Sequence, residues 1–534
     1  MPHDEPWWKT AVIYQIYPRS FASTPTSTWA DGGAAYRSAN PSQPETDTDG
    51  VGDLPGITAH LDHLVWLGVD ALWLSPFYPS PMRDFGYDVA DYCDVDPVFG
   101  SLADFDALVA AAHQRGLKVL VDWVPNHTSS DHPWFVASRS GRDDPKRDWY
   151  VWRDPGPAGA PPNNWTSTFT QGASAWTYDD ASRQCYLHLF LPEQPDLNWA
   201  NPEVEAAMHG TLRFWLDRGV DGFRMDVIHA IGKDPALPDD PPETAAVIPH
   251  SATNDFASTH ALLRRIRSLL NGYEGDRVSV GEVFLLSTAK VAEYYGDNDE
   301  LHLSFNFPPL FAPWDAAAWR KRIDRTEDEL GKVGAWPTWV LSNHDNPRHR
   351  TRYGSEDRAR AAAVLLLTLR GTPFLYAGEE LGLEDAVVPF DQVVDPGGRD
   401  GCRAPIPWER VAPHGWRGAE PWLPWPPHAD THSAEAERDD QGSILHLYRR
   451  LLAARKASLA LQLGTLELLP APPGVVAYRR LHEADERIVV IHQAGGEVAI
   501  PFAGIVEVAS NGAGEGAMFD GTLAPDAAVV LRPA

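Results

Sequence analysis

"GVDGFRMDVIH" occupies residues 219–229. It is an apolar, β-leaning run interrupted by Arg224 and Asp226. Successive side chains of a strand face opposite sides, so Arg224 and Asp226 share one face and Phe223 and Met225 the other. A guanidinium beside a carboxylate at the end of a buried strand fits a site built on the strand terminus. It also fits an ion pair that serves structure alone. The rest of the chain separates these readings.

Stretches of the same kind recur at 70–75 (DALWLS), 116–127 (GLKVLVDWVPNH), 277–284 (RVSVGEVF), 337–345 (PTWVLSNHD) and 371–380 (GTPFLYAGEE). Each is a continuous apolar run rather than an alternating one, the pattern of parallel strands buried on both faces. Helical periodicity lies between them. In 101–116, Phe105, Leu108, Val109 and Ala112 form one stripe, with Ser101 as N-cap, Asp104 three residues on and Gly116 as a stop. In 201–219 the stripe is Val204, Met208, Thr211, Leu212 and Trp215, and 260–272 repeats the pattern before Val278. Such β–helix–β units close either into an open doubly wound sheet or into a barrel.

The polar residues decide between the two. They gather at the C-terminal end of strand after strand: Asp122, Asn126 and His127; Arg224 and Asp226; Glu282; His344 and Asp345; Glu379. A (β/α)8 barrel assembles its site from many strand ends at once. No glycine-rich phosphate cradle follows any strand, which removes the nucleotide-binding alternative. The expected fold class is therefore α/β, a (β/α)8 TIM barrel over 1–127 and 199–457. A loop-rich subdomain, 128–198, is inserted after the third strand, and a second long loop covers about 384–418. From 458 to 534 short strands such as "GVVAYRRL" and "ERIVVIHQ" predict a C-terminal all-β domain, a β-sandwich.

Composition narrows the partners. The chain has 534 residues and a formal net charge of −29, which argues against nucleic acid and anionic membranes and favours a neutral ligand. No apolar run reaches the roughly eighteen residues of a membrane span, and the first twenty residues lack the pattern of a signal peptide. Cys93, Cys185 and Cys402 are scattered and odd in number, reading as free thiols of a cytoplasmic protein. Trp occurs 21 times, and while most of these rings belong in the core, flat aromatic faces also suit stacking on sugars.

Three acids on three strand ends, Asp226, Glu282 and Asp345, point to carboxylate chemistry. Cleaving a glycosidic bond needs one ionised carboxylate to attack or activate water and one protonated acid to serve the leaving oxygen. Their surroundings must push the two pKa values apart. Arg224 beside Asp226 favours its ionised form.

"FRMD", "GE" and "NHD" on strands four, five and seven, with "DWVPNH" on strand three, resemble the four sequence regions of the α-amylase family (glycoside hydrolase family 13). The resemblance covers roughly residues 7–420 and extends to a C-terminal domain of the expected kind. It implies Asp226 as nucleophile, Glu282 as acid/base, Asp345 as transition-state stabiliser and net retention, for which the reacting carboxyls sit about 5–5.5 Å apart. "FGYDVADY" is similar to the family's sugar clamp, implying stacking by Tyr87 and hydroxyl binding by Asp88. Phe85 stands where a His is frequent, which favours the α-glucosidase branch over an endo-amylase. The same resemblance pairs Arg348 with Asp88 to close the pocket and gives His127 and His344 to the bound glucose. "LFLPEQPDLNW" (189–199) and "GRDGCRAPIPW" (398–408) are similar to segments of exo-acting oligo-1,6-glucosidases and maltases and bring Phe190, Gln194 and Arg403 to the pocket. Phe169 and Phe284 join as pocket candidates with a core role equally open.

"ETDTDGVGD" (45–53) offers Glu45, Asp47, Asp49 and Asp53 with the Val51 carbonyl between them. Alternating oxygens from a tight loop suit a hard cation, and the segment resembles the ion loop after the first barrel strand in this branch, with Glu45 where Asp is usual. One structural Ca2+ or Mg2+ and no organic cofactor is the expectation. Val227 shapes the aglycone side; Val there accompanies α-1,6 preference in this branch, whereas "GEVF" is closer to enzymes of short α-1,4 substrates. The resemblance thus implies an exo-acting retaining α-glucosidase on maltose-type oligosaccharides, monomer or homodimer. Its alternative is an α-glucosyltransferase or isomerase, such as a trehalose synthase or a sucrose-active enzyme.

Overall fold

In a computed structural model of the chain, the residues described are 5–23, 50–169, 172–241, 255–416 and 421–534. Eight strands form one sheet: β1 (Ile13–Ile16), β2 (Ala71–Leu74), β3 (Lys118–Trp123), β4 (Gly222–Met225), β5 (Val278–Gly281), β6 (Leu303–Ser304), β7 (Thr338–Val340) and β8 (Thr372–Tyr376). They run in the order β7-β8-β1-β2-β3-β4-β5-β6, and every neighbouring pair is parallel. At the remaining seam, Thr338 on β7 donates its hydroxyl to the Ser304 carbonyl on β6 at 2.7 Å. The result is the (β/α)8 barrel. Six strands coincide with the apolar runs read from sequence. β1 is a four-residue run, and β6 has two residues, too few to show a period.

Alternation sorts the strand residues into two layers. Ala71, Trp73, Leu120, Val278, Val280, Leu303, Val340 and Phe374 come from six strands and pack into one cluster, the barrel interior. Leu72, Leu74, Val119, Val121, Phe223 and Met225 pack into the larger core that includes the helices. Asp122 shares the inward face of Leu120 two residues away, and Arg224 is its register partner on β4, so both crown the interior column.

The helices form as their stripes require. Leu102–Gln114 carries a full capping box, Ser101 to the Asp104 amide and Asp104 back to Ser101, and buries Phe105, Leu108, Val109 and Ala112. Gly116 takes a φ of 77°, which lets the chain turn into β3. Pro202–Asp217 buries all five stripe residues, and Ala257–Asn271 precedes β5.

Between β3 and the helix at 202, a helix (Pro133–Ser140) and a small antiparallel sheet of Trp152–Arg153, Gln184–Leu187 and Trp176–Asp179 form a layer with its own apolar cluster. That cluster reaches Phe190 and Val227 at the barrel mouth. At the C-terminal end a five-stranded antiparallel sheet spans Thr465–Arg532, with a two-stranded sheet of Val498–Ala499 and Thr522–Leu523. Val475, Ala477, Val490 and Val529 face Ile500 and Leu523, while Val476, Tyr478, Val489 and Val530 face the core shared with the barrel. All three cysteines are free thiols. No helix of the described residues is long and apolar enough to cross a membrane.

Candidate functional site

The C-terminal ends of the strands open into a cavity of about 740 Å3. Its floor is organised by one buried guanidinium. Arg224 donates through Nη1 to Asp122 at 2.8 Å and to Asp226 at 2.6 Å, and through Nη2 to Glu282 Oε2 at 2.5 Å. The Val227 amide donates to the same Glu282 oxygen at 3.1 Å. Val227 holds φ 44° and ψ 35°, a left-handed conformation that a β-branched side chain rarely adopts. Strain of this kind persists where surroundings over-determine it, commonly at functional sites. Here it aims an N–H at Glu282 immediately after Asp226.

The sequence reading had Arg224 keep Asp226 ionised; in the structure three carboxyls share that guanidinium, and its pull on Asp226 is opposed. Burial pushes Asp226 well above the usual carboxylate range, Arg224 pulls it down, and the neighbouring Glu282 and Asp122 carboxyls push it up again. Burial raises Asp122 to about 6 against the pull of Arg224. Three carboxyls compete for one guanidinium.

Asp345 sits in the opposite setting. Burial disfavours its charge, but His344, Arg399, Arg403 and Arg224 outweigh that and hold it well below the usual range. Arg399 Nη1 lies 2.9 Å and Arg403 Nη2 3.2 Å from its Oδ1, with His344 Nε2 3.2 Å from Oδ2.

Two of the expected clamp residues lie elsewhere. Asp88 is fully buried and is consumed by a turn: its carboxylate accepts from Ser80 Oγ at 2.8 Å and from the amides of Arg83 and Asp84 at 2.9 and 3.0 Å. Arg348 donates to the Ala377 carbonyl at 2.8 Å and lies over the Tyr376 ring, not against Asp88. The pair that spans the pocket is Asp84 with Arg399, at 2.5 Å. Arg399 thus ties Asp84 to Asp345 while Asp395 grips it from behind at 2.7 Å. Both Asp84 and Arg399 line the cavity. A Cβ at Gly397 would stand 2.9 Å from Arg399 Nε, so glycine lets the loop pass this close. The sequence held both signals, an acid on either side of Tyr87 and an arginine at either end of "GRDGCR". Spacing alone did not say which of each pair faced inward.

The other candidates fall around this frame. Tyr87 lines the cavity, donates to Asp122 at 3.0 Å, meets His344 Nε2 at 2.6 Å and stacks on that ring. His344 and Arg403 are fully buried behind Tyr87 and Asp345 and act through them. Gln194 is likewise buried, donating to Asp84 at 2.9 Å beside His127, which lines the cavity. Phe169, Phe190, Val227 and Phe284 all line it, with Phe169 under the Arg399 guanidinium and Phe284 edge-on to Phe307. His229, which the sequence reading did not single out, also lines the cavity; burial holds it below its usual pKa, and it reaches the Glu282 carbonyl at 3.2 Å.

Of the expected ion loop, Glu45, Asp47 and Asp49 lie outside the described residues. Val51 and Asp53 are buried, and Asp53 Oδ1 caps the helix Leu54–Ala59 at the Gly56 amide. Asp53 is a hard-oxygen donor at the loop's rigid end, which fits one ligand of a Ca2+ or Mg2+ site. Elsewhere Asp255, His260 and Glu293 bring ligand atoms within 4.8 Å of one another. There the Lys290 ammonium stands 2.9 Å from both Asp255 and Glu293 and supplies the positive charge itself.

Fold and site together define a barrel enzyme with a carboxylate centre in a cavity at the C-terminal ends of the strands. The α-amylase catalytic-domain profile matches residues 15–464, and the chain belongs to the α-amylase family. It is 40% identical to a probable α-glucosidase of Rhizobium meliloti strain 1021, covering 93% of this chain and 91% of that protein. It is 36% identical to an oligo-1,6-glucosidase of Parageobacillus thermoglucosidasius, covering 91% and 90%. Among solved structures, an α-glucosyl transfer enzyme, XgtA, superposes with a TM-score of 0.88 at 40% identity over 99% of this chain and 100% of that one. The trehalulose synthase MutB of Pseudomonas mesoacidophila MX-45 superposes with a TM-score of 0.87 at 32% identity, over 99% of each.

Proposed function

We propose that this protein is an exo-acting retaining α-glucosidase that removes α-glucose from the non-reducing end of short, maltose-type α-glucosides, α-1,6 linkages included. Asp226 attacks the anomeric carbon, Glu282 first protonates the leaving oxygen and then deprotonates water, and Asp345 stabilises the oxocarbenium-like transition state. Tyr87, His127, Phe169 and Phe190 surround the glucose, with His344, Gln194 and Arg403 bracing them from behind. The carrying observation is the Arg224 fork that unites Asp226 and Glu282 at 2.6 and 2.5 Å. Beside it the Asp84–Arg399 clasp obstructs the far end of the cavity. A closed end admits one sugar beyond the scissile bond, which is exo action. The same reading assigns 128–198 as the subdomain that roofs the glucose, 458–534 as the separate C-terminal domain and the 45–53 loop as a structural ion site.

A second reading, glucosyl transfer or isomerisation, draws support from the apolar wall at Val227, Phe284 and Phe307 and from the named activities of the structural neighbours. Such a wall disfavours water near the glucosyl-enzyme. Proton NMR of the anomeric region during maltose turnover separates the two. Free α-glucose as first product supports hydrolysis with retention. New α-linked products ahead of free glucose move the assignment to transfer, and β-glucose first refutes both.

A further inference from the structure

Outside the glucose end the cavity changes character. Val227, Ala230, Phe284, Leu286 and Phe307 line it there. Its one cationic group at that end, Lys290, is paired with Asp255 and Glu293, and His229 is held neutral by burial. No unpaired charge among these described lining residues is offered to an anionic aglycone. The wall continues outward as exposed apolar surface: Phe284 is 45%, Phe311 46% and Leu286 65% exposed. Phe311 packs against Phe284 with ring centroids 6.3 Å apart, which carries the apolar wall from the cavity to the surface. Pro396 and Gly397 also line the cavity, and the loop before them exposes Val387, Phe390, Val393 and Val394. Scattered exposed apolar residues need no explanation, but a concentration at the mouth of a cavity marks a contact surface for a ligand.

We infer that the acceptor side selects neutral, apolar aglycones, aryl or longer alkyl alcohols, over polyols and sugars of similar size. This rests on the proposed glucosyl chemistry and names what reacts with it. In the transfer step the ester bond between the glucosyl C1 and the Asp226 carboxylate breaks, and the C1–O bond to the alcohol forms. The hydroxyl proton passes to the Glu282 carboxylate; no redox partner is involved. Phe284 and Leu286 cover the carbon skeleton of the alcohol while its hydroxyl points at Glu282.

The test uses α-glucosyl fluoride as donor, because its leaving group needs no aglycone recognition. Benzyl alcohol and glycerol compete at equal concentration, and both glucosides are quantified by mass spectrometry. The expected wild-type preference for benzyl alcohol is on the order of ten-fold, the scale of discrimination from a few apolar carbons in a pocket. In Leu286→Gln/Phe311→Ser it falls to about one while fluoride release persists. A wild-type ratio near one, or an undiminished ratio in the double variant, overturns the inference and leaves the glucosyl chemistry standing. Absence of fluoride release from the wild type overturns the glucosyl chemistry and this inference with it.

Discussion

Replacing Arg399 by Met removes the cation that joins the two sides of the glucose end. Its guanidinium touches Asp84 at 2.5 Å, Asp345 at 2.9 Å and Asp395 at 2.7 Å, and its side chain is 12% exposed. Hydrogen bonds to charged groups contribute about 1.5–3 kcal/mol each. Of the three, the contact to Asp345 bears on the transition state and the contact to Asp84 on the position of the sugar. Losing both costs about 3–4 kcal/mol of transition-state stabilisation, on the order of 10²- to 10³-fold in kcat/KM. The pH profile carries a second signature. In the parent protein Arg399 helps hold Asp345 below the usual carboxylate range. That stabilisation is present above the unfolded value, near 3.9, and is lost as pH falls through the lower folded value. With Arg399 gone the folded value rises, so the acid limb of kcat/KM moves to higher pH. Initial rates on maltose from about pH 4 to 8 measure both effects. Activity within about three-fold of the parent, with an unmoved acid limb, would refute the assignment of Arg399 as the clasp.

Other substitutions test the centre itself. Asp226→Asn should lower turnover by about 10⁴-fold or more with circular dichroism unchanged, and retained activity would remove Asp226 as nucleophile. Glu282→Gln should lower maltose hydrolysis by about 10²- to 10⁴-fold yet spare the fluoride-releasing step with α-glucosyl fluoride, whose leaving group needs no proton. Equal losses on both donors would place the acid elsewhere. Removing divalent ions with a chelator should lower the melting temperature by a few degrees through loss of a ligand that binds only the native state, with kcat of the folded enzyme unchanged. An unmoved melting temperature would mean that the 45–53 loop is only a solvated turn.

Much of this architecture was legible because barrel strands and site residues obey one rule. An inward-facing apolar run must end where the interior column ends, and whatever polar residue follows points into the mouth. Asp122, Arg224, Asp226, Glu282 and His344 could be found from that rule, and the structure gathers them around one cavity floor. The capping box at Ser101 and the stripe of the 202–217 helix were local and equally readable. β6 was not, because two residues of strand show no period. The clamp residues failed for a different reason. Asp84 and Asp88 both lie on a turn, where side-chain direction depends on φ and ψ residue by residue and not on a period. Phe85, between them, takes φ 47° and Gly86 φ 109°, and that pair of left-handed residues turns Asp84 into the cavity and Asp88 into the protein. The same holds for Arg399 and Arg403, at the two ends of a short helical turn (Asp400–Arg403).

The two ends of the catalytic floor differ in their count of charge, and that difference pulls the acids of one cavity in opposite directions. Around Arg224 stand three carboxyls, two of them nearly inaccessible, with burial opposing every negative charge. Separating a second and third charge there is opposed by burial and by like charge, which lifts Asp226 and Asp122 above the usual carboxylate range. Glu282 Oε2 accepts from both Arg224 and the Val227 amide, so two donors fall on one of its oxygens. Around Asp345 the ratio is reversed, with Arg399 and Arg403 on a single oxygen, and its carboxyl is held well below the usual range. The fork at Arg224 and the clasp at Arg399 therefore pull in opposite directions: crowding of carboxyls at the first disfavours their charge, and pairing with two cations at the second favours it.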